Sequence, residues 1–141
     1  MSSRPRLMVS RCLLGDAVRY DGGHRRVPGL VSLLNRFATT VSVCPEVEAG
    51  MGTPRPPIEL VGEAHELRVI DRASNQDWTQ PLLHVVHEHL TTSASTPLDG
   101  FIFKARSPSC AKGTAQKPGL GTGRITEGYD GIFASALTRS F

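Results

Sequence analysis

Thr40-Val41-Ser42-Val43-Cys44-Pro45-Glu46 decides how the chain is read. Val41 and Val43 fall on one side of a two-residue alternation, the pattern of a short β-strand. Pro45 fixes its own φ and biases Cys44 toward extended backbone, so the strand hands Cys44 to the loop that follows. Prolines stiffen that loop at Thr53-Pro54-Arg55-Pro56-Pro57. In parallel sheets, ligands collect at the C-terminal ends of strands. A thiol at Cys44 and a carboxylate at Glu46, fixed at such an end, mark a candidate site.

The flanking sequence supplies this strand with partners. Residues 7–14 form an apolar run closed by Gly15, read as a buried first strand with Cys12 at or just past its end. Arg19-Tyr20-Asp21-Gly22-Gly23-His24 is turn chemistry. Leu30, Leu33, Leu34 and Phe37 mark one face of a helix, and Pro28 suits its first turn. Strand, loop, helix and strand in that order open an α/β fold. The expectation is a single Rossmann-like three-layer domain over residues 1–141, with a mostly parallel sheet and the cysteines at its C-terminal strand ends.

Further on, Ile58-Glu59-Leu60-Val61 and Leu67-Arg68-Val69-Ile70 read as a hairpin. Asp77 caps a predicted helix over about 78–90, with Trp78, Leu82, Val85, Val86 and His89 or Leu90 turned inward. Residues 98–103 form a further strand that leads to Cys110. Residues 113–123 read as a loop, and residues 132–137 as a short closing helix. Within the loop, Gly119-Leu120-Gly121-Thr122-Gly123 lacks the preceding strand and the Lys-Ser/Thr ending of a phosphate loop, so no nucleotide site is read there.

At 141 residues, 39% hydrophobic and 21% charged, the chain suits one soluble domain whose core needs no disulfide staples. No apolar run is long enough to span a bilayer, and the first residues lack a signal peptide's hydrophobic region, so a cytoplasmic protein is expected. Three widely spaced cysteines fit a reducing compartment. The net charge of +3 admits a nucleic-acid partner, but 6% aromatic residues and no basic block beyond Arg25-Arg26 do not demand one.

Cys12, Cys44 and Cys110 each lie at or shortly after a predicted strand end, so parallel strands bring the thiols to one edge of the sheet. No close C-x-x-C pair exists for a zinc finger. Three thiolates without a fourth suit an iron–sulfur cubane with one iron free of protein thiolate. Three buried free cysteines acting as small hydrophobes are the other reading, and spacing alone does not separate the two.

The residues resemble a known family at this point. Ser10-Arg11-Cys12-Leu13-Leu14-Gly15, Val18-Arg19-Tyr20-Asp21-Gly22-Gly23-His24, Cys44-Pro45-Glu46, Thr53-Pro54-Arg55-Pro56-Pro57 and Arg106-Ser107-Pro108-Ser109-Cys110 are similar, in order, to successive motifs of the thiouracil desulfidase family. The resemblance implies a [4Fe–4S] cluster held by Cys12, Cys44 and Cys110, with Glu46 and Ser107 as catalytic positions. It further implies that the iron not ligated by cysteine takes the substrate's sulfur, turning a thiolated uracil into uracil without net redox. Partners then expected are a small thiolated pyrimidine or thiolated tRNA, with no membrane, and with the chain as monomer or homodimer. A rim of Arg19, Arg25, Arg26, Arg55, Lys104 and Arg106 would serve the RNA substrate.

Ala111-Lys112-Gly113 departs from the glycine that usually follows the family's third cysteine, and longer members extend beyond the position of Phe141. A non-catalytic iron–sulfur or zinc module with an RNA-binding accessory role is the competing expectation. Asp21 and His24 are candidates for the pocket wall or for turn stabilisation. His84, His87 and His89 read as solvated or core histidines rather than as a metal site.

Overall fold

The structure is a computed structural model, and it describes residues 4–63, 66–118 and 125–140. In chain order, β1 (Arg6–Ser10) leads through a 3-10 turn (Arg11–Leu14) to α1 (Pro28–Phe37), β2 (Thr39–Val43) and α2 (Pro45–Glu48). Next come β3 (Ile58–Val61), β4 (Arg68–Asp71), β5 (Gln76–Asp77) and α3 (Thr79–Ser95). The chain closes with β6 (Gly100–Ile102), β7 (Ala115–Pro118), β8 (Ile125–Tyr129) and α4 (Ile132–Thr138).

β1 is the centre of a three-stranded parallel sheet in the order β2-β1-β6. Successive strand residues point to opposite faces, yet Met8 and Val9 are both buried, as a central parallel strand requires. Val9 packs with Leu34 and Ala38 at the α1 side. Met8 packs with Val85 and Val86 of α3 and with Phe133 and Leu137 of α4. Each such burial contributes about 1.5–3 kcal/mol. The remaining strands are antiparallel: β3-β4-β5 form one sheet and β7-β8 another. Among the described residues the parallel part of this α/β fold is thus confined to three strands.

The predicted hairpin is present, with Ile58 opposite Asp71 and Val61 opposite Arg68. Gly62 makes its turn at φ 95°, where a side chain would also collide with the Glu66 carbonyl. The predicted third helix runs on to Ser95, and Leu82, Val85 and Val86 are buried on it. Asp77 supports its start by accepting from the Thr79 N–H at 2.9 Å and by pairing with Arg68. Burial alone would raise its carboxyl; the Thr79 and Arg68 hydrogen bonds outweigh that and hold it below the ordinary carboxylate range.

Several expectations need correction. The apolar run at residues 7–14 is not all strand, because the chain leaves the sheet after Ser10. Ser10 Oγ accepts from the Lys104 N–H at 2.9 Å, and Gly15, at φ 100°, closes the turn onto Arg11 and Cys12 carbonyls. Periodicity does not distinguish a buried strand from a short apolar turn. On α1, Leu30 and Leu34 reach the core, whereas Leu33 and Phe37 are more than half exposed. A three-stranded sheet is narrow and covers only part of the apolar stripe. The Arg36 guanidinium lies over the Phe37 ring instead, 5.3 Å from its centroid. Residues 115–118 of the predicted loop form β7, and the glycine-rich 119–123 lie outside the described residues.

Candidate active site

Cys44 is the hinge between β2 and α2. Pro45 occupies the first helical position, and Glu46 and Glu48 complement the positive N-terminal end of the turn. The two carboxylates leave it in different directions. Glu48 accepts from the Cys44 N–H at 2.9 Å and pairs with His89 of α3 at 2.7 Å. Glu46 faces a cavity of about 400 Å³.

That cavity is also lined by Cys12 from the turn after β1, by Cys44, and by Ser107 and Cys110 from the loop after β6. All five candidate residues from the sequence therefore meet at one cavity. Cys12 is fixed through its carbonyl, which accepts from the Arg25 N–H at 2.8 Å. The Cys44 thiol lies 3.8 Å from the Val18 carbonyl oxygen. Burial raises the thiol pKa of Cys12 and Cys44 and pushes that of Cys110 up to about 12. Among the described residues all three cysteines are free.

The Cys110 loop is built onto the start of α4. Ile132 and Ala134 N–H groups, which an isolated helix would leave unpaired, donate to the carbonyls of Pro108 and Ser109, both at 3.0 Å. Gly131 donates to the Ala111 carbonyl at 2.7 Å. So close is this approach that a Cβ on Gly131 would overlap the Ser109 carbonyl and sit 2.9 Å from the Cys110 nitrogen. The φ of Gly131 suits any residue, so the demand for glycine here is purely steric. Gly131→Ala is expected to destabilise the protein by about 2–3 kcal/mol through this overlap. A urea melt showing less than about 0.5 kcal/mol of loss would remove the steric account.

Arg55 is an internal pin rather than a displayed anion binder. Its Nε donates to Glu46 Oε1 at 2.9 Å, and its Nη1 to the Gly52 carbonyl and to Thr53 Oγ1, both at 3.2 Å. Its backbone N–H ties the loop to the Tyr20 carbonyl at 2.7 Å. The cavity wall carries Arg11, Arg19, Arg25, Arg55, Lys104 and Arg106 against the Glu46 carboxylate. Arg11 pairs with Asp16 and Arg19 with Asp21, while Arg25, Lys104 and Arg106 have no carboxylate partner among the described residues. Arg26 lies outside the wall, against Gly15. Burial lowers the Lys104 ammonium pKa from its ordinary value.

Asp21 and His24 do not join the cavity wall. Asp21 accepts from the Gly23 N–H at 2.9 Å, and His24 Nδ1 accepts from the Arg26 N–H at 3.1 Å, so both stabilise their turn. His84 and His87 are exposed, and His89 packs edge-on against Phe133. Ser109, not among the candidate residues from the sequence, is 1% exposed and donates to Glu46 Oε2 at 2.9 Å. Its burial has no signature in a Ser-Pro-Ser stretch.

The sequence profile of the 2-thiouracil desulfurase family matches residues 7–141. The chain belongs to that family. The uncharacterized protein YbbK of Bacillus subtilis (strain 168) is 31% identical over 112 residues, which cover 76% of this chain and 74% of YbbK. Among solved structures, the [4Fe-4S]-dependent thiouracil desulfidase TudS superposes with a TM-score of 0.77 at 30% identity, over 97% of this chain and 87% of that one. The matched range, residues 7–141, contains all five candidate residues.

Proposed function

We propose that the chain is a [4Fe–4S]-dependent enzyme that replaces the sulfur of a thiolated uracil by water's oxygen, with Cys12, Cys44 and Cys110 as cluster ligands. The observation that carries this reading is three free thiols and a carboxylate lining one cavity beside the ends of parallel strands. The donor set fits the group. Among the described residues, no three His, Cys, Asp or Glu side chains close around a single metal ion. Three thiolates would each hold one iron of a cubane and leave the fourth for an external ligand. When bound, the cluster supplies a soft Lewis acid for sulfur.

The protein's own groups account for the rest. Glu46 keeps free lone pairs beyond its bonds to Arg55 and Ser109, so it takes the proton of the water that attacks the ring carbon. Ser107 stands two hydrogen bonds from that carboxylate and is connected to it through Ser109. The three wall cations without a carboxylate partner among the described residues, Arg25, Lys104 and Arg106, favour a phosphate-bearing substrate, such as a thiouridine in tRNA, over the free base. The same reading includes a Rossmann-like three-layer domain over residues 1–141, supported by helices packed against Met8 and Val9 from opposite sides. Three reduced thiols suit the cytoplasm. Among the described residues no helix is long and apolar enough to cross a membrane.

Anaerobic purification with iron and sulfide assays tests the reading, followed by turnover on 2-thiouracil, 4-thiouracil and thiolated tRNA. About four irons per chain and release of sulfide are expected. A KM that climbs steeply with salt identifies the phosphate-bearing substrate; a flat response identifies the free base. Protein that cannot be loaded with iron and sulfide would end the desulfidase reading.

A further inference from the structure

Each oxygen of Glu46 is gripped from a different part of the chain. Arg55 Nε donates to Oε1 at 2.9 Å, with the two side chains only 6% and 13% exposed. From the other side Ser109 Oγ donates to Oε2 at 2.9 Å. A hydroxyl has one proton to donate. With the Ser109 proton directed at Glu46, the 3.0 Å contact between the Ser107 and Ser109 hydroxyls runs with Ser107 as donor. The Cys110 thiol, 4.0 Å from Ser109 Oγ, is the weaker acceptor for that same proton.

Ser107 has nothing left over. Its Oγ also accepts from the N–H groups of Ser109 at 3.2 Å and Cys110 at 2.9 Å. One proton and two lone pairs are the full capacity of a hydroxyl, and all are in use within the loop. Ser109, buried between them, is the link from this saturated serine to the carboxylate at the cavity.

We infer that Ser109 is a positioning residue for the reaction, holding Glu46 and Ser107 as one hydrogen-bonded unit with Arg55 as the opposing grip. On this assignment, which rests on the desulfurating function proposed above, Ser107 acts through Ser109 and Glu46 rather than by touching the substrate. The unit orients the Glu46 carboxylate so that its unused lone pairs meet the attacking water.

The test is a double-mutant cycle on anaerobically purified, cluster-loaded protein: wild type, Ser109→Ala, Glu46→Gln and the pair. Ser109→Ala is expected to lower kcat about tenfold with KM little changed and with wild-type iron, sulfide and melting temperature. The double variant is expected to be no slower than Glu46→Gln alone, because both changes remove the same unit. Losses that multiply, or a Ser109→Ala enzyme with normal kcat, overturn the assignment while leaving the desulfidase function intact. If alanine costs the protein its cluster, Ser109→Thr decides, since it keeps the hydroxyl. Cluster-loaded Ser109→Thr with near-normal kcat supports the link; the same protein as slow as Glu46→Gln overturns it. Wild-type protein that holds the cluster yet releases sulfide from no thiolated uracil overturns the functional reading and this assignment with it.

Discussion

Cys110→Ala is expected to yield a folded, colourless protein with no desulfurating activity. The thiol is buried and its pKa is pushed up to about 12, so at neutral pH the metal-free protein holds it protonated. Ligation must remove that proton, which makes cluster loading more favourable as pH rises. Alanine offers no ligand in place of the thiolate. Loss of one small side chain costs about 1 kcal/mol, well within what a domain tolerates. Iron and sulfide should fall to background while the far-ultraviolet circular dichroism stays native. Wild-type iron content in this variant would show that Cys110 is a core residue and not a ligand.

The second large effect is at Glu46. Glu46→Gln is expected to cut kcat by about a hundredfold or more, the range for loss of a general base, with the cluster retained. Glutamine is the informative replacement. Glu46→Ala would strand the nearly buried Arg55 guanidinium, and removing one partner of such a pair costs about 3–5 kcal/mol of stability. Glutamine keeps an acceptor for Arg55 while discarding the basic oxygen. Single-turnover measurements with stoichiometric substrate separate the chemical step from product release. Near-normal turnover in cluster-replete Glu46→Gln would remove the base from the mechanism.

The parts of the fold carried by local pattern were legible. Alternating residues marked β2, two such runs marked the β3-β4 hairpin, and apolar spacing marked α3 and α4. What escaped was set by tertiary contact. The width of the sheet left Leu33 and Phe37 in solvent, and the Lys104 bond to Ser10 ended β1 before its apolar run ended. α2 had a local signal, proline at the first position with acidic residues behind it, that the proline-rich context masked. At the site, the cysteines and Glu46 stood out by residue type and position, and Ser107 through the resemblance to the family's motifs. Ser109 did not, because a buried serine bridging to a carboxylate 63 positions away looks in sequence like any turn serine.

The placement of the cysteines also sets a schedule for making the protein. Cys12 and Cys44 follow the first two strands, which pair directly, whereas Cys110 arrives only after the hairpin, α3 and β6 have been synthesised. A ribosome-bound chain that has emerged through residue 50 owns two of the three thiols and no cage. Iron and sulfide delivered then would meet an open, two-thiol fragment. With these three thiols as ligands, as proposed, the site is completed only when the Cys110 loop docks onto the start of α4.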